Sequence, residues 1–437
     1  MIPMATTTSR RARVAPPARR TVLAGALALP GAAALASCAG GVGTTSTADG
    51  LTLLNYEDID AATLLREQLA AFAEDSGIRT TLDTVPGSGA AQFPDKLRTR
   101  ILGGNAPDVW QIWGGQIGQP FVEAGLTLDL APYYDEYGWE ESLSPAGVEG
   151  MTFLGERHGA PLNVASLGAW CNARIFEEAS AAVPTTYDEL EEANEAILDS
   201  GVTPAGFGGK YGWHIMRLYE YLLEVTAGPE LHDALLQGEE SWDQPAVVES
   251  FDLFRTWSDR SWITPGALGV APADAEQGFV QGTSAFTISG PWIEGQYILP
   301  SGKPPEEFGT FLLPTGHETV RHSGFVEGLM ISSTSGAPDD AAALIDRLLS
   351  PPVQEALQNT QSAALGAPPD AEQFPLSAQW VEIRETSEIY TIQDQAFPKA
   401  VADSYFAVQS QVLQGDASPA DAARDMQQIV SEWKDQR

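Results

Sequence analysis

The chain has few of the residues that build disulfide scaffolds and metal centres. Its 437 residues include two cysteines and five histidines, and the histidines are scattered. Basic residues are also scarce, since 24 Lys and Arg stand against 59 Asp and Glu and leave a net charge of −35. A body this acidic repels nucleic acid and anionic lipid. We therefore expect no nucleic-acid partner, no metal site and no cofactor, and we interpret the acidity as a source of solubility.

Enzyme motifs are missing as well. There is no G-x-S-x-G nucleophile turn and no P-loop, and His317 and His322 do not have the H-E-x-x-H spacing of metalloproteases. A glycoside hydrolase needs two carboxylates about 5–10 Å apart, and in so acidic a chain the presence of carboxylates decides nothing. The sequence favours a protein without catalysis, and a secreted glycoside-acting enzyme remains the enzymatic alternative.

The chain does have the size for two domains. A length of 437 residues exceeds what one hydrophobic core supports, and 43% of the residues are hydrophobic. The 11 tryptophans also need an explanation, because an exposed indole is costly unless it has a use.

The N-terminus has the three zones of a secretion signal, which we assign to residues 1–37. Five arginines lie within residues 10–20, an apolar stretch covers residues 21–35, and small residues precede Cys38. The apolar stretch is shorter than the roughly 20 residues of a membrane span. Arg19-Arg20 resembles a twin-arginine export motif, and the sequence leaves the twin-arginine and general export routes open.

The end of the signal, Leu35-Ala36-Ser37-Cys38, resembles the lipobox of bacterial lipoproteins. The resemblance implies that Cys38 becomes the lipid-bearing first residue of the mature protein, with ordinary cleavage near Ala36 as the alternative. The Gly-, Ser- and Thr-rich residues 38–50 then form a flexible tether. It would hold an extracytoplasmic domain at the outer face of the cell membrane, which the protein touches only through the lipid. Cys171 is left without a disulfide partner, and we expect it to be buried.

The mature chain opens with a β-α-β-α-β pattern. Apolar runs predict strands at Leu51–Tyr56, at Ile78–Val85 and within "APDVWQIW". Helical spacing predicts one helix that ends at Gly77 and another that ends at Gly103-Gly104. This order indicates an α/β fold with a mainly parallel sheet and helices on both faces. Ligands of such sheets lie at the carboxyl ends of the strands, so the residues after the first and third strands are candidates.

The alternation continues to the C-terminus. Strands are predicted within "GTSAFTISG" and "EFGTFLLP", and helices over residues 185–201, 242–257, 338–350 and 418–436. Thr185 or Thr186 and Ser418 are the expected N-caps.

Seven segments resemble, in order, those of the extracellular solute-binding proteins of bacterial ABC importers, in particular the carbohydrate-binding group that includes maltose-binding protein. They cover nearly the whole chain after the tether, and their number and order are specific to the family rather than to a ligand. The segments are "GGNAPDVWQIWGG" with "VEAGLTLDL", "GERHGAPLNVASLGAWCNARIFEEA", "VPTTYDELEEA", "GVTPAGFGGKYGW", "FVQGTSAFTISGPW", "SGFVEGLMIS" and "VLQGDASPADAARDMQQ".

The resemblance implies a two-lobed, type II periplasmic-binding-protein-like α/β fold, in which a hinge lets the lobes close on a ligand in the cleft between them. Chain crossings are expected near Asn163, between Gly302 and Phe308, and near Pro351-Pro352. The implied lobes are residues 51–162 with 308–350, and residues 163–307 with 351–437. The implied function is that of a monomeric sugar-binding lipoprotein that delivers its ligand to ABC permease subunits in the membrane.

A sugar has hydroxyls that need hydrogen-bond partners and ring faces that lie on aromatic rings. Charged partners contribute about 1.5–3 kcal/mol each and neutral ones about 1. A ring stacked on an indole gains roughly 0.5–1.5 kcal/mol beyond the burial of its area, if aromatic pairs are a guide. The side chains predicted to bind ligand are Glu57, Asp58, Gln111, Trp113, Gln116, Asn163, Lys210, Trp213, His214, Trp292 and Glu327.

Several of these assignments carry alternatives. Glu57 or Asp58 is expected to cap a helix while the other faces the ligand. Of Trp110 and Trp113, one is expected in the core, and we assign Trp113 to the cleft because it shares a strand face with Gln111. The carboxylates make a polyamine conceivable as ligand. A peptide fits less well because peptide-binding relatives have longer chains.

Overall fold

The computed structural model describes residues 50–56, 62–85 and 89–435. The predicted signal, most of the predicted tether, Cys38, Glu57 and Asp58 therefore lie outside the described residues.

The described chain begins with strands and helices in alternation, and runs of consecutive helices and of consecutive strands follow. The strands are β1 (Leu51–Asn55), β2 (Thr80–Thr84), β3 (Val109–Trp113), β4 (Thr152–Phe153), β5 (Glu156–Arg157), β6 (Ala160–Ser166), β7 (Gly168–Asn172), β8 (Thr203–Ala205), β9 (Ser284–Ser289), β10 (Phe308–Phe311), β11 (Arg321–Ile331) and β12 (Glu388–Thr391). The helices are α1 (Ala62–Ser76), α2 (Gly89–Leu102), α3 (Gly115–Glu123), α4 (Ala131–Tyr137), α5 (Trp139–Ser142), α6 (Pro145–Gly150), α7 (Ala173–Glu178), α8 (Tyr187–Asp199), α9 (Trp213–Leu236), α10 (Pro245–Asp259), α11 (Pro272–Gln281), α12 (Pro338–Leu349), α13 (Pro351–Ala356), α14 (Pro375–Arg384), α15 (Gln393–Ala396), α16 (Lys399–Gln414) and α17 (Pro419–Asp435).

The strands form a large sheet and a small sheet. The large sheet has the order β12-β11-β3-β1-β2, with β6 also paired to β11, and β1 is parallel to both β2 and β3. The small sheet has the order β10-β7-β9-β8. A short hairpin joins β4 and β5. The predicted opening β-α-β-α-β pattern with parallel strands is confirmed, whereas β11 is antiparallel to β3 and β6 and makes the large sheet mixed rather than mainly parallel.

Each sheet has its own hydrophobic core. Leu53 of β1 packs with residues of α1 and α12 on one face of the large sheet. Trp110 of β3 packs with residues of α2 and α3 on the other face. The small sheet packs against α8, α9, α10, α16 and α17 in the largest apolar cluster, and Cys171 is buried there, as predicted. Burial raises the pKa of the Cys171 thiol to about 12, which leaves it protonated and unreactive.

The chain changes sheets at places close to, but not identical with, the expected crossings. Asn163 lies in β6 of the large sheet, and the small sheet begins at Gly168. Phe308–Phe311 pairs with β7, so the return to the large sheet comes between Phe311 and Arg321, later than expected. The helix that begins at Pro351 packs on α1 and α12, so the chain stays beside the large sheet there.

The predicted caps form as the sequence indicates. The Thr186 side chain accepts a hydrogen bond from the Glu189 backbone N–H at 3.2 Å, and the Glu189 carboxylate accepts one from the Thr185 N–H at 2.8 Å. Ser418 accepts from the Asp421 N–H at 3.2 Å. Each contact satisfies a backbone donor that the first helical turn leaves free. Trp242 was predicted to lie in a helix but lies outside α10, which begins at Pro245. Proline fits the first turn of a helix because the N–H that it lacks has no partner there.

A buried ion-pair cluster, which we call the Glu224 cluster, fastens α9 to β11. The Arg321 guanidinium donates to Glu224 and to Asp233 at 2.8 Å, and it also reaches the Pro229 carbonyl at 3.0 Å. His232 contacts the Glu224 carboxylate at 2.5 Å. These contacts hold the pKa of Glu224 down at about 2 despite its burial. The cluster lies where β11 enters the large sheet.

None of the described helices is long and apolar enough to cross a membrane.

Candidate functional site

A stack of three side chains forms the small-sheet wall of a cleft. The Arg217 guanidinium carbon lies 4.6 Å from the Trp213 ring centre and 5.2 Å from the Trp292 ring centre. Its Nη1 donates to the Ile288 carbonyl at 3.0 Å. Arg217 is 4% exposed, whereas both indoles are partly exposed. The guanidinium therefore fixes two indoles and leaves parts of both accessible.

Burial lowers the pKa of Arg217 to about 10, and the nearby carboxylates, Glu276 first among them, oppose that shift. The guanidinium is still charged at neutral pH. Glu276 accepts a hydrogen bond from Ser289 at 2.7 Å and one from the Trp292 indole N–H at 3.4 Å. The charged groups behind the indoles thus hold Trp292 in place.

The large-sheet wall is built at the end of β3. The Trp113 ring stacks on Tyr56, with ring centres 4.3 Å apart and planes 23° apart, and Phe93 packs edge-on against Tyr56. The chain then turns sharply into α3 at Gly115, which has φ of +58 and would place a Cβ 2.6 Å from the Gln395 carbonyl oxygen. Only glycine fits this turn without strain or clash. Trp110, by contrast, is completely buried beside Phe121.

Glu327 of β11 accepts several hydrogen bonds in this wall. Its carboxylate accepts from the Tyr56 hydroxyl at 2.5 Å, from the Asn163 amide at 2.8 Å and from the Gln111 amide at 3.3 Å. The Trp113 indole contributes a further hydrogen bond. Burial raises the pKa of Glu327, and these donors oppose the shift by stabilising the carboxylate. The carboxylate orders the polar side chains around it.

A cavity of about 280 Å³ lies beside Glu327, between the large sheet and Trp292. We call it the amide cavity, because its described polar lining consists of uncharged side chains, mostly amides. They are Asn55, Gln111, Asn163, Gln296, Gln358, Asn359, Thr360 and Gln361.

Asn55 is the side chain among these that most clearly suggests a role in ligand binding. It ends β1, it is 1% exposed, and neither its amide nitrogen nor its amide oxygen has a hydrogen-bond partner among the described residues. A buried amide without partners is costly, by roughly 1–3 kcal/mol. An amide in that state at a cavity wall is typical of a group that binds a polar ligand.

A second cavity, of about 360 Å³, lies on the Trp213 side of the stack. Trp213, Phe406 and Phe121 contribute aromatic surface to it, and Gln116 lies on its large-sheet wall. We call it the charged cavity, because its lining also includes Asp95, Arg98, Asp394, Lys399 and Asp403.

The structure brings most of the predicted site residues to one cleft. Gln111, Asn163 and Trp292 line the amide cavity, Gln116 and Trp213 line the charged cavity, and Glu327 is hydrogen-bonded to Gln111, Asn163 and Trp113.

Two predicted residues lie elsewhere. His214 is completely buried, its Nδ1 accepts from the Gly208 N–H at 3.2 Å, and its Nε2 lies 3.2 Å from the Thr287 hydroxyl. Burial and the nearby Arg217 charge lower the pKa of His214 well below its usual value, so it is a neutral core residue. Lys210 is exposed and lies over Tyr211. Neither residue lines the amide cavity or the charged cavity, so neither belongs to this candidate site.

Among the residues of the candidate site that sequence reasoning missed are Asn55, Tyr56, Arg217 and Asn359. Asn55 and Tyr56 end the first predicted strand, so the rule that ligands lie at strand ends could have found them. Arg217 gave a weaker signal, one helical turn after Trp213. Asn359 gave none, because it reaches Asn163 from a segment far along the chain, at 2.7 Å.

The sequence matches a known family over most of its length. The model of the family described as bacterial extracellular solute-binding protein matches residues 57–355. The chain belongs to this family. The resemblance found in the sequence is thus confirmed.

Known relatives of this solute-binding protein match more than four fifths of its length. A probable sugar-binding periplasmic protein of Brucella melitensis is 23% identical over 379 residues, which are 82% of this chain and 87% of the relative. A solved chitin oligosaccharide binding protein is 26% identical, with a TM-score of 0.79, and the match covers 87% of this chain and 98% of that one. A maltose-bound MalE3 of T. maritima is 19% identical, with a TM-score of 0.75 and coverage of 88% and 99%. These likenesses confirm the two-lobed α/β fold.

Within the described part of this solute-binding protein, no group of three or more His, Cys, Asp or Glu side chains is arranged to hold a metal ion. What the cleft offers a ligand is therefore hydrogen bonds, indole faces and a few charges.

Proposed function

We propose that this solute-binding protein captures a carbohydrate in its cleft and delivers it, unchanged, to the permease of an ABC importer. The observation that carries the proposal is the pairing, across one cavity, of a partly exposed indole with buried neutral amides. Trp292 offers a flat apolar face, and Asn55 offers an amide whose donor and acceptor both lack protein partners. Sugars have both kinds of surface.

The composition of the amide cavity favours a sugar over a polyamine. A polyamine needs several carboxylates facing it, because each ammonium group loses its hydration on binding. The described lining of this cavity carries no charge, and the nearby Glu327 carboxylate is already occupied by four donors of the protein. The relatives named as sugar-binding support the same choice.

The proposal includes a location. We infer that residues 1–37 are removed on export and that a lipid on Cys38 holds the mature protein at the outer face of the cell membrane, where the permease can receive the ligand. The lipobox-like Leu35-Ala36-Ser37-Cys38 supports this inference. A Cys38→Ser variant should lose incorporation of a labelled fatty acid and appear in the soluble fraction. Unchanged labelling and membrane association would contradict the anchor.

A thermal-shift screen tests the ligand class. A protein that binds a ligand only when folded gains RT ln(1 + [L]/Kd) of stability, about 2.7 kcal/mol at 100 times Kd. We expect at least one sugar to raise the melting temperature, and putrescine, spermidine and short peptides to leave it unchanged. A shift with a polyamine and none with any sugar would overturn the proposal.

Trp292→Ala then tests the site. Loss of the ring face should weaken sugar binding about tenfold or more and remove most of the change in tryptophan fluorescence on binding. Trp292→Phe, which keeps a ring, should bind better than Trp292→Ala. Tyr211→Ala is the matched control, because Tyr211 is an exposed aromatic (38%) that lines neither cavity. If sugar affinity survives Trp292→Ala, the assignment of Trp292 is wrong.

A further inference from the structure

The two cavities are neighbours that share one wall. Trp292 lines the amide cavity and Trp213 lines the charged cavity, and the Arg217 guanidinium lies between the two indoles at 5.2 and 4.6 Å. One layer of side chains therefore separates them on the small-sheet side. A ligand that passes along this layer meets one indole in each cavity.

The opposite wall repeats the arrangement. Gln111 of β3 lines the amide cavity and Gln116, just after β3, lines the charged cavity. Trp113 lies between them in sequence, with its ring stacked on Tyr56 at 4.3 Å. Both walls thus place an amide or an indole in each cavity, with Arg217 between the two indoles on the small-sheet side and Trp113 between the two amides in sequence on the other. The residues at and just after the end of β3 contribute to both cavities.

The chemistry of the two cavities differs. The described polar groups of the amide cavity are uncharged, and Asn55 there has no protein partner. The charged cavity combines the Trp213 and Phe406 rings with carboxylates, among them Asp394, and with basic side chains. Rings with polar groups at their edges are the surfaces that a sugar ring needs. Each cavity can therefore hold a sugar unit by itself.

The volumes bear on how many units are bound. Pockets that bury most of a drug-sized ligand measure roughly 300–1,000 Å³. Of the two cavities, the one of about 280 Å³ is just below this range and the one of about 360 Å³ is near its lower limit. A single ring in the amide cavity would contact Trp292 and leave Trp213 without a ligand.

We propose that the ligand is an oligosaccharide of at least two rings, with one uncharged unit in the amide cavity and its neighbour in the charged cavity, past the Trp213–Arg217–Trp292 stack. This inference rests on the proposed carbohydrate function. It names the size of the ligand and assigns the charged cavity as the second sugar site.

Calorimetric titration with four sugar series tests the size of the ligand. The series are glucose, maltose and maltotriose; xylose, xylobiose and xylotriose; N-acetylglucosamine, chitobiose and chitotriose; and galactose, melibiose and raffinose. In any series that binds, we expect the two-ring member to bind at least tenfold more tightly than the monosaccharide.

A blocking variant tests the charged cavity. Ala400 is exposed on α16 and lines that cavity, so Ala400→Phe should fill it without disturbing the core. We expect this variant to lower the affinity for the two-ring sugar at least tenfold more than the affinity for the monosaccharide. Ala407→Phe is the matched control, since Ala407 is exposed on the same helix and lines neither cavity. If Ala400→Phe does not fold, the same two affinities are measured for Phe406→Ala, which removes an aromatic side chain from the lining of the charged cavity.

Three results would overturn the inference, and they are distinguishable. If a monosaccharide binds as tightly as its two-ring relative, the inference is wrong and the proposed function stands. The same holds if Ala400→Phe, or Phe406→Ala in its place, changes the affinities for both sugars equally. If no sugar of any series binds, the proposed function fails and the inference falls with it.

Discussion

The Glu224 cluster and the amide cavity both bury polar side chains, and in both places most of them are paired, but the cavity has one buried amide, that of Asn55, that lacks a partner among the described residues. In the cluster, Glu224 and Arg321 satisfy each other through two contacts of 2.8 Å. In the cavity, Asn55 has no partner among the described residues. At the cavity, therefore, Asn55 is unpaired, whereas the cluster pairs Glu224 with Arg321 and His232. Fully paired burial indicates a structural role, and unpaired burial at a cavity wall indicates a role in binding.

Glu224→Ala should have the largest effect on stability. The change leaves Arg321 buried with one carboxylate fewer, and breaking a buried ion pair from one side costs about 3–5 kcal/mol. Urea unfolding at pH 7 measures the loss. Glu230→Ala is the control, because Glu230 is exposed on the same helix, α9. Equal stability of the two variants would mean that the cluster is not structural.

Glu327→Gln should have an intermediate effect. Glu327 resembles Glu224 in accepting hydrogen bonds from protein donors, but its donors, such as Tyr56 and Asn163, are uncharged. In the variant, the glutamine NH₂ group cannot accept from them. We expect a loss of about 1–3 kcal/mol in the free energy of unfolding. Urea unfolding beside Glu123→Gln, an exposed control on α3, checks it. A loss as large as that of Glu224→Ala would remove the distinction between the two regions.

Asn55→Ala should affect binding rather than folding. Because its amide has no protein partner, its removal should change the free energy of unfolding by less than about 1 kcal/mol. The affinity for the sugar that the screen selects should fall about five- to thirtyfold, since the amide can make one or two hydrogen bonds of about 1 kcal/mol each. Calorimetric titration and urea unfolding, with the exposed Asn105→Ala as control, separate the two effects. A large loss of stability with unchanged affinity would reverse the assignment.

The smallest expected effect is on pH dependence. Burial raises the pKa of Asp394 in the charged cavity to about 6, so its stabilising contribution is complete below the unfolded pKa, near 4, and is lost as pH rises through about 6. Glu224, with its pKa lowered to about 2, contributes above about pH 4.5 and loses this contribution only as pH falls towards 2. Of these two carboxyls, only Asp394 should change its contribution to stability between pH 7 and pH 5.

Thermal unfolding at pH 7, 6 and 5 checks this difference. The wild-type protein should gain melting temperature relative to Asp394→Asn as pH is lowered across this range, by a few degrees at most. The gap between the wild-type protein and Glu224→Ala should stay nearly constant over the same range. A constant gap for Asp394→Asn would show that its carboxyl does not titrate there.

The sequence predicted what depends on local pattern. The opening strands and helices, the Thr186 and Ser418 caps and the burial of Cys171 follow from apolar spacing and from the preferences of single residues. Most of the predicted ligand-binding residues also meet at one cleft, because strand ends on one edge of a sheet converge.

What the sequence did not predict depends on contacts between distant segments. The place where the chain returns to the large sheet depends on the pairing of Phe308–Phe311 with β7, and nothing in that short apolar run says which sheet it joins. His214 and Arg217 are one turn apart on α9, yet one is in the core and the other faces two indoles. Helix packing, rather than residue type, decides between these outcomes.

The burial of Cys171 has a practical consequence. A protein that begins at residue 50 contains no other cysteine, and this thiol is 3% exposed with its pKa raised to about 12. Maleimide reagents should therefore not react with a protein that begins at residue 50, and should attach a dye only to a cysteine introduced at the rim of the cleft. A variant labelled in this way should report ligand binding through a change in dye fluorescence, without prior removal of Cys171.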